Sequence, residues 1–65
     1  MKVYINGEPR ESSANTVAQL VEELGLPGPA LLVEHNGTAL RRDEWSTQNL
    51  AEGDRLEILR IAAGG

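Results

Sequence analysis

Two Asn-Gly dipeptides, Asn6-Gly7 and Asn36-Gly37, each close a run in which apolar and polar residues alternate, and this repetition leaves the chain few folds. Alternation with period two marks a strand with one buried face. Asn-Gly at its end marks a two-residue hairpin turn, because both turn positions need positive φ. In the first run Val3 and Ile5 alternate with Lys2, Tyr4 and Asn6; in the second Leu31, Val33 and His35 alternate with Leu32 and Glu34. The return strands are expected at Arg10 to Ser13 and at Thr38 to Leu40. Between the hairpins the period changes. Thr16 stands three residues before Gln19, the spacing of a capping box, and Val17, Leu20, Val21 and Leu24 then fall at i, i+3, i+4 and i+7 on one helical face. Gly25 supplies the left-handed residue that ends such a helix, and Pro27 and Pro29 forbid its continuation.

Beyond the second hairpin, Arg42 to Trp45 has room for one helical turn, enough to let Trp45 plug the side of a small core. Leu50 leads into a turn at Glu52-Gly53-Asp54. A last strand then runs from Arg55 to Ile61, with Leu56 and Ile58 on the inward period and Glu57, Leu59 and Ile61 on the outward one. This order predicts an α+β domain over residues 1–61, a mixed sheet of about five strands wrapped on one main helix, with a flexible tail at 62–65. The first and last strands can pair in parallel at the centre, because the helix and second hairpin form the long crossover that a parallel pair requires. One helix covers only one face. The other carries Tyr4, Leu32, Leu59 and Ile61, an apolar group beside a chain end, and is expected to serve with Ala62 and Ala63 as a partner interface.

Composition narrows the function. A chain of 65 residues buries only about 60% of the surface it exposes when unfolded, which leaves little room for an enclosed catalytic pocket. Without cysteine it has no disulfide, no thiolate ligand and no cysteine nucleophile. Six Lys and Arg against ten Asp and Glu give a net charge of -4, which disfavours nucleic acid and favours partners with basic surfaces. Tyr4 and Trp45 are the only aromatic residues, too few for a base-stacking platform. No apolar run approaches the length of a signal sequence or a membrane span, so a cytoplasmic protein with no membrane partner is expected.

The side chains that might carry chemistry each have a plainer explanation. His35, the only histidine, has no second histidine or cysteine with which to bind a metal. Asp43 with Glu44, and Glu52 with Asp54, flank turns where acidic residues cap and solubilise. Gly25 to Pro29 lacks the spacing of a phosphate loop, and Trp45 is expected to anchor an irregular segment rather than stack on a ligand. The candidate that remains is the end of the chain. Gly64 and Gly65 carry no Cβ, so a terminus built from them can thread a narrow cleft and present a carboxylate at its tip.

Four segments together resemble one family: Met1-Lys2-Val3-Tyr4-Ile5-Asn6-Gly7-Glu8; Thr16-Val17 with Leu20 to Leu26; Val33-Glu34-His35-Asn36-Gly37 continuing to Arg42 and Trp45; and Glu52-Gly53-Asp54-Arg55-Leu56-Glu57-Ile58 closing on Gly64-Gly65. The chain resembles, essentially end to end, the ThiS-type sulfur carriers of thiamin biosynthesis, which are ubiquitin-like β-grasp proteins ending in Gly-Gly. Two positions depart from the family's habit: His35, where an apolar residue is usual, and Arg41, where proline is common. The resemblance implies that Gly65 is adenylated by an ATP-dependent adenylyltransferase like the ubiquitin-activating enzyme. Its carboxylate is then converted to a thiocarboxylate through a cysteine desulfurase or rhodanese-type donor, and sulfur passes to thiazole synthase. It also implies that the carrier is not an enzyme and binds no cofactor, the ATP being used by its partner. Two other readings stay open: the small subunit of molybdopterin synthase, which uses the same thiocarboxylate, and a ubiquitin-like conjugating modifier or non-covalent adaptor.

Overall fold

The computed structural model describes residues 1–61; the expectations for Ala62, Ala63, Gly64 and Gly65 lie outside the described residues. Strands β1 (Lys2–Ile5) and β2 (Glu8–Glu11) form the first hairpin, helix α1 (Val17–Leu24) follows, and β3 (Leu31–His35) with β4 (Thr38–Leu40) forms the second. Strand β5 (Arg55–Arg60) completes a five-stranded sheet in the order β2-β1-β5-β3-β4. β1 and β5 run parallel, and every other pairing is antiparallel. A mixed sheet with its first and last strands adjacent, closed on one helix, is the β-grasp architecture expected from the sequence.

The turns form for the anticipated reason. Asn6 and Gly7 take φ of 51° and 85°, and Asn36 and Gly37 take 51° and 86°. One boundary is corrected: the first return strand occupies Glu8–Glu11 rather than Arg10 to Ser13. A two-residue turn with both residues at positive φ sets Glu8 directly opposite Ile5, so pairing resumes without a gap. Pro9 fits because β2 is an edge strand, where no ladder donor is needed.

Helix α1 starts at Thr16, whose Oγ1 accepts from Gln19 N at 3.2 Å, while Gln19 Oε1 accepts from Asn15 N at 2.7 Å. The remaining first-turn donors find acceptors in the segment between β4 and β5: Val17 N donates to Gln48 O at 3.0 Å and Ala18 N to Trp45 O at 3.0 Å. That irregular segment is therefore laced to the helix start. Gly25 closes the other end in the left-handed region, with φ of 71°. Val3, Val17, Leu20 and Leu56 are completely buried between sheet and helix, and Trp45, just past the 3-10 turn Arg42–Glu44, closes the side of this core at 5% exposure. A second 3-10 turn, Gly28–Ala30, follows Gly25 and leads directly into β3.

Candidate docking face and the strand leading to the terminus

β5 is the element that leads toward the terminus, and the chain braces it on both sides. β3 pairs with it from Leu31↔Arg60 to His35↔Leu56. β1 reaches only its first half, at Tyr4↔Arg55 and Ile5↔Leu56, because the hairpin then turns away. A side chain continues the ladder. Asn6 Oδ1 accepts from Ile58 N at 2.8 Å and Asn6 Nδ2 donates to Ile58 O at 3.1 Å, so one amide side chain serves both backbone groups as a strand residue would. On the opposite side Asn36 N donates to Arg55 O at 2.8 Å and Asn36 Oδ1 accepts from Arg55 N at 2.9 Å. Both turn asparagines thus hold the same strand, a role that alternation patterns do not report and that the sequence reading missed.

Next to Asn36, the ring Nε2 of His35 donates to Asp54 Oδ2 at 2.7 Å, with both side chains largely buried. Asp54 also accepts from Ala51 N at 2.9 Å and from Asn36 Nδ2 at 3.2 Å. Burial pushes the Asp54 carboxyl up, but the bonds from His35, Ala51 and Asn36, with the charge of His35, hold it below its ordinary value. His35 is a fastener between β3 and the turn before β5. The other acidic candidates are engaged locally as well. Asp43 lies 3.2 Å from the Arg41 guanidinium, Glu44 accepts from Arg41 N at 2.7 Å, and Glu52 accepts from Lys2 N at 3.1 Å. Among the described residues no group of three or more His, Cys, Asp or Glu side chains is placed to hold a metal ion.

The face of the sheet opposite α1 is open. Leu32 and Leu59 stand directly opposite each other on β3 and β5 and are 55% and 59% exposed; Ile61, whose N donates to Ala30 O at 2.7 Å, is 46% exposed. A groove of about 130 Å3 borders Leu32 and Leu59, and Glu34, Ala39, Leu40 and Glu57 also line its wall. Tyr4 is on the same face but in a different neighbourhood. It pairs with Arg55, whose guanidinium lies 5.9 Å from the centre of the tyrosine ring. Four residues of strand, about 13 Å, separate Arg55 from Leu59. The structure therefore brings Leu32 and Leu59 together, leaves Ile61 at the exit of β5, and sets Tyr4 apart beyond Glu57. The Trp45 indole packs under the Arg42 guanidinium at 5.5 Å, and among the described residues its buried Nε1 has no partner, so packing rather than hydrogen bonding positions the ring.

Comparison with known proteins gives a consistent result. The model of the ThiS family matches residues 3–65. The chain is 38% identical to a thiazole synthase of Paramagnetospirillum magneticum over 66 aligned positions, covering 100% of this chain but only 20% of that protein. It is 32% identical to the sulfur carrier protein ThiS of Thermus thermophilus, covering 97% of this chain and 98% of that one. Among solved structures, the thiamine biosynthesis protein (ThiS) from Geobacter metallireducens superposes with a TM-score of 0.83 at 29% identity, with 100% of both chains covered.

Proposed function

Because the chain belongs to the ThiS family, we propose that it is a sulfur carrier of thiamin biosynthesis that works through the carboxylate of Gly65. The observation that carries this reading is a family match running through residue 65, so that Gly64-Gly65 falls inside the shared sequence. A terminal carboxyl has a pKa of roughly 3.3 to 3.7, so at neutral pH it is a resonance-stabilised anion and a poor electrophile. Activation must come first. Adenylation by an ATP-using adenylyltransferase converts one carboxylate oxygen into a leaving group. The terminal sulfur of a persulfide from a cysteine desulfurase or rhodanese-type donor then displaces AMP to give an acyl disulfide, and a second thiol of the relay attacks the donor's sulfur, breaking the S–S bond and leaving a disulfide behind. The resulting thiocarboxylate is a soft anionic nucleophile suited to attack an electrophilic carbon. Thiazole synthase is the acceptor this reading favours, supported by the thiazole synthase relative that contains a segment similar to the whole of this chain.

In this scheme no side chain of the carrier catalyses a step. The folded domain presents the tail, Leu32 and Leu59 give its partners an apolar contact, and the ATP site belongs to the activating enzyme. On this reading the carrier works in the cytoplasm, where ATP is supplied. The direct check is to remove Gly65, or to cap its carboxylate as an amide, and to measure ATP-dependent adenylation by the activating enzyme. Loss of adenylation with an unchanged melting temperature is expected. Equal activation of the shortened chain would refute the role of Gly65.

A further inference from the structure

The open face pairs two like charges. In the β3–β5 register Glu34 stands directly opposite Glu57, one step along the face from the Leu32↔Leu59 pair, and both glutamates are exposed. Like charges directly opposite on neighbouring strands destabilise a sheet. Among the described residues neither carboxylate takes part in a salt bridge. The nearest cation along β5 on this face, Arg55, is drawn over the Tyr4 ring at 5.9 Å. The isolated chain therefore keeps an uncompensated acidic pair on the wall of its exposed apolar groove, since Glu34 and Glu57 border the same 130 Å3 space as Leu32 and Leu59.

We propose that Glu34 and Glu57 form a receptor for one Lys or Arg of a protein partner, which sets an adjoining aliphatic side chain into the groove against Leu32 and Leu59. Charge complementarity decides the occupant. A second copy of this chain, with net charge -4, would bring its own acidic pair to the same face, whereas a basic partner relieves the repulsion on arrival. The groove gives affinity through apolar burial, and the acidic pair gives orientation and partner choice. This proposal rests on the carrier reading, because it assumes that the open face docks the enzymes which charge and discharge the tail.

The test is titration of the full chain with the activating enzyme and with the thiazole synthase of the same organism, at low and high NaCl, alongside melting temperatures. Substitution of both glutamates, Glu34→Gln with Glu57→Gln, is expected to weaken binding to at least one partner about tenfold at low salt and to remove most of the salt dependence. The same double variant is expected to melt higher than the unaltered chain, because the repulsion is gone. Leu59→Asp should weaken binding at every salt concentration. If the double glutamine variant binds both partners as the unaltered chain does while Leu59→Asp does not, the acidic receptor is refuted and the docking face stands. If Leu59→Asp also binds normally, docking lies elsewhere and the proposal falls with the face. Absence of binding by the unaltered chain to either enzyme would overturn the carrier reading itself.

Discussion

Asn6 and Asn36 share one backbone conformation, φ of 51° in each, and spend their side chains on the same strand in different ways. Asn36 bonds the backbone of Arg55 at the start of β5, whereas Asn6 bonds both backbone groups of Ile58, where β1 has already turned away. The turn itself was legible, because Asn-Gly after an alternating run has few other outcomes. The bridge was not, because it joins residues 52 apart in sequence, and no local pattern encodes that distance. Asn6→Asp tests it. The aspartate keeps the turn propensity and the acceptor for Ile58 N but places a carboxylate oxygen against Ile58 O. A loss of about 1–3 kcal/mol in stability is expected by chemical denaturation, the range for an unsatisfied, partly buried acceptor. A change within about 0.5 kcal/mol, the usual effect of an exposed substitution, would show that the bridge does not hold β5.

Among the elements, the ones marked by strong local chemistry were read correctly. The Thr16 cap, the Gly25 stop, β3 and the single turn before Trp45 all stand where their residues predicted. β2 begins two residues before the stretch its sequence suggests, because its exposed Glu-Pro-Arg-Glu sequence carries no apolar alternation to fix a register. Arg41 and His35, which depart from the family's habit, find their explanation at element ends. Arg41 has φ of -73°, which proline also adopts, but it uses its N–H to bond Glu44. His35 ties β3 to the turn before β5 through Asp54. Because the folded Asp54 carboxyl lies below its ordinary value, the native state binds fewer protons there than the unfolded chain. Its stabilisation is complete well above the unfolded value of about 3.9 and is lost as pH falls through the lower folded value. Asp54→Asn should therefore lower stability at pH 7 by about 1–2 kcal/mol, with the difference from the unaltered chain closing progressively as pH falls below about 5. Glu23, whose carboxyl is also held low, burial pushing it up but Arg10, Ser13 and Ser12 outweighing that, titrates alike in both proteins and cancels from the difference. A difference that stays constant across that range would mean that charge at Asp54 contributes nothing.

At the scale of the whole molecule, topology followed from two hairpins, one helix and a last strand with a long crossover behind it, and the sheet order β2-β1-β5-β3-β4 agrees. The open apolar face was legible as a list of outward residues but not as a shape. Period two shows which side Tyr4, Leu32, Leu59 and Ile61 occupy, while register alone shows that Leu32 meets Leu59 and that Tyr4 meets Arg55. The result is a scaffold whose central strand, β5, lies along an open apolar face, an arrangement that suits the proposed carrier role. The measurement that bears on this most directly is the intact mass of the full chain after incubation with the activating enzyme, ATP and a sulfur donor. The account predicts a gain equal to sulfur replacing oxygen, confined to the C-terminal residue. An unchanged mass, or adducts of far higher mass through Gly65, would contradict it, the first indicating an idle tail and the second a conjugating modifier.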